Sequence, residues 1–319
     1  MVFAVCWPRM PSPLPITETS AAVQTIRRAR PLLGTLVEIS VHSGVPHARL
    51  HAAIDAAFAE IEGVQQLMSC QHPQSELSRL NRAAHRGALP VHAHTFAVLA
   101  RAVRFAQLSD GAFDPCVGGT LERLGLLPAL VSATPPGACW ADVELLEGQC
   151  VRFARPLRLD LSGIAKGYAV DLAVECLQQH GLESVMVNAG GDLRVAGPRG
   201  FEIGLRDPRS PAQIAQVLQL RHGALATSAA YTKVSSSLLD ARSDRLYEDC
   251  ASISVCAAHC MNADALTKVV LFAPPALAET VLAHFDAVAF AMPDDASWRE
   301  PRAPTADRAG YPVTDVCPG

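Results

Sequence analysis

The stretch Leu-Asp-Leu-Ser-Gly-Ile-Ala-Lys-Gly-Tyr-Ala-Val-Asp, residues 159–171, opens a helix and is the most informative part of the chain. Apolar residues recur at helical spacing through and after it, and a glycine stands where the helix should end. Those residues are Ala169, Leu172, Ala173, Cys176 and Leu177, and the glycine is Gly181. Asp160, Gly163, Lys166 and Gly167 gather at the helix start. Because glycine lets backbone approach a ligand and first-turn N–H groups lack helical partners, this start suits an anion.

A second segment, residues 184–192, follows this helix closely. Its first six residues, Ser-Val-Met-Val-Asn-Ala, predict a short buried strand. Gly190 and Gly191 then predict a tight turn with positive φ, and Asp192 follows the turn. Both segments are typical of places where backbone meets phosphate.

These two segments resemble the FAD:protein FMN transferase family, the ApbE-like proteins, in which D-L-x-x-x-A-K-G-Y-x-x-D precedes N-x-G-G-D. Further segments are similar to the family's M-G-T, S-x-L-S-x-x-N, G-A-F-D-P, T-S-x-x-Y and A-D-A-L signatures, in the family's order. They lie at Arg30 with residues 34–37, at 75–81, at 111–115, at 226–228 with Tyr231, and at 263–266. Each motif alone is weak, but together they cover about residues 30–292.

The resemblance implies an α+β fold, a single ApbE-like domain with mixed strands and packed helices, over residues 26–293. The residue pattern agrees, because half of the 319 residues are hydrophobic and can form a sizeable core. It predicts helices at 48–68 and around 96–103, a loop at 126–140, and strands at 35–41, 204–206, 252–255 and 285–292. The first 25 residues and residues 294–319 lack apolar periodicity, so we expect both to be disordered.

Composition narrows the possible partners. The net charge of −4 and the pI near 6.3 offer nothing to attract a polyanion, so nucleic acid is not an expected partner. No apolar run reaches the length of a transmembrane segment. The first residues lack the pattern of a signal peptide or a lipoprotein, so we expect a cytoplasmic location, with the periplasm as the alternative.

The ten cysteines are scattered and form no C-x-x-C pair. The one local group of soft metal ligands is Cys256, His259 and Cys260. Structural zinc needs four ligands, usually from two paired motifs, and no second pair follows. Packing in the core is therefore the favoured interpretation, with a zinc site as the alternative.

The resemblance implies that the chain splits FAD, passes FMN to a threonine hydroxyl of an acceptor flavoprotein, and releases AMP. Such phosphoryl transfer needs a cradle for the pyrophosphate, charge neutralisation, and a group that deprotonates the hydroxyl. Family positions carried over to this sequence imply Mg²⁺ at the Gly163 carbonyl, Asp264 and Thr267. They also imply FAD contacts at Ala112, Phe113, Asp114, Asp160, Lys166 and Leu239.

Each assignment has a structural alternative. Asp160 and Asp264 are also good residues for capping the helices near them. Lys166 could be a solvated charge, Phe113 could be a core residue, and the two glycines at 190–191 would turn any hairpin. Because the matched segments converge on one ligand in the family, we favour the functional interpretation of the set.

The chain also departs from the family at several of these positions. Leu33 stands for a methionine and Gln71 for a tyrosine, both at flavin-nucleotide contacts. Ser237 stands for a histidine, which leaves Ser237 and Asp240 as the candidate catalytic residues, and Asp240 is a weak base at its ordinary pKa. In the same segment Ala241 replaces a proline and Asp244 a glycine, and farther on Lys268 replaces a metal-binding threonine. These departures keep two other functions open: a catalytically weak or inactive FAD-binding module, and an FAD pyrophosphatase that makes FMN and AMP.

Overall fold

The computed structural model describes residues 24–128, 134–208, 210–229, 238–247 and 252–292. Its helices are α1 (His47–Met68), α2 (Glu76–Ala83), α3 (Ala93–Leu108), α4 (Gly118–Arg123), α5 (Ala165–Gln179), α6 (Cys260–Phe272) and α7 (Pro275–His284). Its strands are β1 (Gln24–Leu32), β2 (Thr35–Ser43), β3 (Leu89–Pro90), β4 (Val143–Leu146), β5 (Cys150–Phe153), β6 (Ser184–Ala189), β7 (Asp192–Ala196), β8 (Phe201–Asp207), β9 (Ser210–Leu220), β10 (Gly223–Ala229), β11 (Leu239–Asp240), β12 (Arg245–Leu246), β13 (Ser252–Ala257) and β14 (Val288–Met292). The predicted disordered ends lie outside the described residues, apart from Gln24 and Thr25 in β1.

A seven-stranded sheet in the order β1-β2-β6-β7-β10-β13-β14 forms the centre of the described fold, and all its neighbouring strands are antiparallel. The turn between β6 and β7 has φ of 66° at Gly190 and 105° at Gly191, which confirms the predicted turn. Val37 of β2 pairs with Ala189 of β6, so the β1–β2 turn and the β6–β7 turn lie at the same end of the sheet. This end carries the site described below.

Helices α1, α5 and α6 pack together against the sheet and bury its apolar residues. Val37, Ile39 and Val41 alternate along β2 and are fully buried, because a strand presents every second side chain to one face. A smaller apolar cluster joins the β8–β9 hairpin to strands β7 and β10. The bounds of α1 agree with the helix predicted at 48–68, whereas the predicted strand at 285–292 begins only at Val288, since Phe285 ends α7.

Two contacts fix the start of α6 against α5. The Asp171 carboxylate accepts hydrogen bonds from the N–H groups of Cys260 and Met261, both at 2.9 Å, so α6 is capped by a side chain of another helix. Gly167 lies so close to the α6 backbone that a Cβ there would be 2.3 Å from the Cys260 carbonyl oxygen. Gly167 therefore serves close packing of α5 against α6, and its predicted approach to a ligand stays a prediction.

Within the described residues, no helix combines the length and the hydrophobicity that crossing a bilayer requires.

Candidate active site

Two adjoining cavities at this end of the molecule bring the predicted site residues together. The larger has a volume of about 410 Å³ and the smaller about 70 Å³, and both are lined by Leu121, Asp160 and Ser162. Ala112, Phe113, Asp114, Gly163, Leu239 and Lys268 also line the smaller cavity, and Leu33, Gln71 and Lys166 also line the larger one. Segments more than one hundred residues apart in sequence thus converge on one groove.

The predicted binding turn at 111–115 is built by side-chain hydrogen bonds. Asp114 accepts from the N–H of Cys116 at 2.8 Å and from the N–H of Trp140 at 3.2 Å, so its carboxylate supports the turn. Burial raises the pKa of Asp114 above its ordinary value. Phe113 is 6% exposed and its ring packs 5.9 Å from that of Phe105, yet it also lines the smaller cavity. Phe113 is therefore a core residue that also reaches the cavity, and its contact with FAD stays a prediction.

Asp160 stands where the two cavities meet and organises the turn before α5. Its carboxylate accepts from the Ser162 hydroxyl at 2.5 Å, the Ser162 N–H at 3.3 Å and the Cys70 thiol at 3.4 Å. The capping alternative for Asp160 is wrong, because α5 has Ile164 as its N-cap residue with no side-chain capping bond. These contacts leave Asp160 in the lining of both cavities.

Lys268 of the smaller cavity and Lys166 of the larger one belong to a cluster of four charges with Asp192 and Asp264. The Lys166 ammonium contacts the Asp192 carboxylate and lies 3.8 Å from Oδ2 of Asp264. The Lys268 ammonium contacts Oδ1 of Asp264 and donates to its backbone carbonyl at 3.0 Å. Gly167 N–H donates to Oδ2 of Asp264 at 3.3 Å. Asp264 is fully buried inside α6, whose N-cap is His259, so the capping alternative for Asp264 is also wrong.

The surroundings keep members of this cluster charged at neutral pH. Burial acts to lower the pKa of Lys166, but the carboxylates of Asp264 and Asp192 outweigh it and hold that pKa above its ordinary value. Burial acts to raise the pKa of Asp264, yet the ammoniums of Lys166 and Lys268 hold it below its ordinary value. Burial and the neighbouring Asp264 carboxylate raise the pKa of Asp192. Removing one member would leave a buried charge without its partner, which typically costs about 3–5 kcal/mol.

These contacts determine whether the residues fit a magnesium ion. Mg²⁺ requires near-octahedral oxygen ligands, but each Asp264 carboxylate oxygen already accepts one hydrogen bond, and the donor to Oδ1 is the Lys268 ammonium. The Thr267 hydroxyl donates to the Asp264 carbonyl at 2.7 Å and pairs with the Ser228 hydroxyl at 2.7 Å. A divalent ion about 4 Å from the Lys268 ammonium would be repelled by roughly 8 kcal/mol at an effective dielectric constant of about 20. With Lys268 in this position, the residues do not fit Mg²⁺.

The zinc alternative at Cys256, His259 and Cys260 receives no support. Among the residues that the structure describes, no group of three or more His, Cys, Asp or Glu side chains could hold a metal ion. Cys260 is fully buried in the core, and burial raises the pKa of Cys256 to about 12. Both thiols are therefore protonated packing residues, as the favoured interpretation predicts.

The structure describes residues 238–244 of segment 237–244, the segment that differs most from the family. Ser237 lies outside the described residues, and Leu239 lines the smaller cavity. The Asp240 carboxylate accepts from the Arg242 N–H at 3.1 Å and from the Ser243 hydroxyl at 2.8 Å, so it closes its own turn. Its role as a base stays a prediction.

Asp244, which stands where the family has glycine, adopts a φ of 56°. Aspartate tolerates this conformation better than most residues do. Its carboxylate accepts from the Thr120 hydroxyl at 2.5 Å and from Arg123 at 3.2 Å. The substitution therefore ties the segment to α4.

Two residues of the site belong to the family motifs, but the sequence analysis predicts no role for them. Asp192 ends the N-x-G-G-D motif and is the direct partner of Lys166. Asp171 ends the Y-x-x-D motif, caps α6, and accepts from Arg194 at 3.1 Å. Their place in the motifs was the available signal, but their partners become apparent only when α5, α6 and β7 meet.

Comparisons with known proteins agree with this architecture. The model of the ApbE family matches residues 33–292. An FAD:protein FMN transferase of Treponema pallidum is 30% identical over 241 residues, 67% of this chain and 67% of that protein. One of Vibrio cholerae is 28% identical over 273 residues, 76% of this chain and 80% of that protein. The crystal structure of the ApbE protein of Thermotoga maritima matches with a TM-score of 0.75 at 25% identity, covering 86% of this chain and 96% of that one.

Since the family model covers residues 33–292, which is most of the chain, the chain belongs to the ApbE family. The predicted α+β fold is confirmed by its antiparallel sheets, its packed helices and its match to solved ApbE structures.

Proposed function

We propose that this chain is an FAD:protein FMN transferase, which moves FMN from FAD to a threonine hydroxyl of an acceptor flavoprotein and releases AMP. Relatives with that name share about 30% of their residues with it over most of its length. The observation that carries the proposal is the groove itself, in which Ala112–Asp114, Asp160, Gly163, Lys166 and Leu239 converge.

The groove suits a long dinucleotide. The larger cavity has the volume of a small-molecule site and an apolar side formed by Leu33, Met68 and Leu127, which suits a flat ring system. The smaller cavity adjoins it at Asp160 and Ser162, and each cavity is lined by one ammonium of the four-charge cluster, Lys268 in the smaller and Lys166 in the larger. We place the flavin-nucleotide rings in the larger cavity and the pyrophosphate near Ser162.

The reaction is a phosphoryl transfer in which the acceptor hydroxyl attacks the phosphorus of the FMN half. A bond forms between the threonine oxygen and that phosphorus, and the bond from phosphorus to the bridging oxygen breaks. AMP leaves with that oxygen, and the hydroxyl proton passes to a base or to solvent. Oriented cations that stabilise charge on the phosphate oxygens are the main contribution a protein makes to such a step.

Lys166 is placed for that electrostatic role. Its side chain is 30% exposed and lines the larger cavity, while Asp192 and Asp264 hold its ammonium from below. Asp160 orients the Ser162 hydroxyl and N–H beside it. With the Lys268 ammonium on Asp264, the residues do not fit the magnesium ion that the resemblance implies, and no step proposed here depends on that ion.

Mass spectrometry of an acceptor tests the proposal. The probe is a flavoprotein whose natural form carries FMN on a threonine, prepared without that flavin and incubated with the purified chain and FAD. We expect a mass increase equal to FMN minus water on the acceptor, and one AMP for each FMN transferred. An acceptor with the threonine replaced by alanine is the matched control and should gain no mass.

The other functions predict different results. An FAD pyrophosphatase would release AMP and free FMN at the same rate with or without acceptor. A binding module would bind FAD and release no AMP. Either result would contradict the proposed transfer.

A further inference from the structure

Lys268 places a positive charge between the buried Asp264 carboxylate and the smaller cavity. Its ammonium contacts Oδ1 of the fully buried Asp264 and donates to the Asp264 carbonyl at 3.0 Å. Its stem lies beside Gly163, because a Cβ on Gly163 would be 3.4 Å from Lys268 Cε; the same Cβ would be 3.6 Å from a Phe113 ring carbon. The side chain, 18% exposed, is part of the lining of the smaller cavity.

The position on α6 makes this arrangement stable. Lys268 follows Asp264 by four residues, the spacing at which an acidic residue and a later basic one face each other on a helix. The first turn of α6 is fixed by Asp171, and Gly167 holds α5 against it. The ammonium is therefore held at one place instead of moving freely in solvent.

The charges around the cavity require such a cation. Four carboxylates belong to this region: Asp114 and Asp160 line the smaller cavity, and Asp192 and Asp264 pair with Lys166 and Lys268 of the cavity linings. A bound pyrophosphate would add further negative charge. Lys166 alone cannot balance them, and its ammonium is already shared between Asp192 and Asp264. Lys268 supplies the second positive charge at the position where it also blocks a divalent ion.

We propose that the Lys268 ammonium is a built-in substitute for a divalent cation, neutralising Asp264 and the pyrophosphate oxygens of bound FAD, so that FAD binding does not need a metal. The proposal rests on the proposed function for the identity of the ligand. Its metal-exclusion part concerns the chain alone. A lysine on a flexible stem can keep Asp264 within reach while it donates to a phosphate oxygen, since an ammonium has three donors.

The first experiment tests whether FAD binding needs a metal. FAD affinity is measured by calorimetry in excess EDTA and in excess magnesium. The wild-type affinity should be the same in both. Lys268→Met, which keeps an apolar stem without charge, should weaken FAD binding by about 10- to 100-fold in both conditions, the loss of one hydrogen bond between charged groups. Lys268→Thr should show the same loss in EDTA and recover in magnesium, because its hydroxyl is a metal ligand and the ammonium is gone.

Electron paramagnetic resonance of Mn²⁺ tests whether Lys268 excludes a divalent ion, and it needs neither FAD nor acceptor. The wild-type chain and Lys268→Met should leave the signal of free Mn²⁺ unchanged, and Lys268→Thr should reduce it. Lys268→Arg keeps the charge, so it should still bind FAD in EDTA even if the other variants fold poorly. Circular dichroism of every variant reports its folding.

Two results would overturn the proposal: wild-type FAD binding that is lost in EDTA and restored by magnesium, or Mn²⁺ binding by the wild-type chain. A chain that binds FAD without metal but modifies no acceptor would contradict the proposed transfer and leave the role of Lys268 standing. The two failures are therefore distinguishable.

Discussion

Substituting alanine for Gly167 should destabilise the protein although it improves helix propensity. The new Cβ would lie 2.3 Å from the Cys260 carbonyl oxygen and 2.7 Å from the Met261 nitrogen, and both are backbone atoms that cannot rotate away. Reaching even a tight contact of 3.0 Å requires α5 and α6 to separate by about 0.7 Å at this point, and an ordinary contact of 3.4 Å requires about 1.1 Å. Overpacking of this kind costs about 1–3 kcal/mol or more, and the propensity gain returns about 1 kcal/mol. Because the clash is with rigid backbone, the cost lies at the upper end of that range, and we expect a net loss of about 1–2 kcal/mol, seen as a lower urea midpoint with an unchanged slope.

Gly63→Ala is the matched control. Gly63 is also a helical glycine, in α1, but a Cβ there would have no other atom within 4 Å. Alanine at that position should therefore stabilise the protein by about 0.5–1 kcal/mol. Gly167→Ala should in addition weaken FAD binding, because separating α5 from α6 would stretch the hydrogen bond from the N–H of residue 167 to Asp264 and would shift the adjoining Lys166. If Gly167→Ala matched the wild type in urea midpoint, the close approach of α5 and α6 would be refuted.

Two further predictions concern the cavity wall and the missing histidine. Asp160→Ala should weaken FAD binding measured by calorimetry, because the Asp160 carboxylate orients Ser162. Thermal unfolding should stay cooperative, since that carboxylate contributes no apolar core contact. An unchanged affinity would show that Asp160 does not contribute to FAD binding. Ser237→His should raise the rate of FMN transfer, since a positioned base contributes about 10²–10⁴-fold and a serine hydroxyl is not a base at neutral pH; a rate that the substitution leaves unchanged would show that another group, or none, takes the proton.

Much of the groove could be predicted from the sequence, because its wall is built from short local motifs. The turn at Gly190 and Gly191 needs positive φ, and glycine reports that need directly. Asp160, Gly163 and Lys166 lie within seven residues, so one helix start brings all three to the groove. Local spacing is enough to predict such neighbours.

The contacts between distant elements could not be predicted in this way. Gly167 has the residue type expected beside a ligand, yet it meets the backbone of α6, which begins 93 residues later in the sequence. Asp264 and Asp160 have the residue type of helix caps, but the caps are Asp171 for α6 and none for α5. Which carboxylate caps a helix and which binds a lysine depends on how α5, α6 and β7 pack, and no local pattern encodes that packing.

Residues that depart from the family lie in the cavity walls, whereas the residues that join the helices and strands behind the walls have the family's types. The residues that assemble the site from behind, Gly167, Asp171 and Asp192, have the family's residue types and join α5, α6 and β7. Leu33 and Lys268, which depart from the family, line the cavities instead. A substitution at a cavity-lining residue such as Lys268 changes the charge next to the nucleotide without moving the helices and strands that form the cavity. FAD binding, metal dependence and transfer rate can therefore change independently on this scaffold, which is why the proposed experiments measure each of them separately.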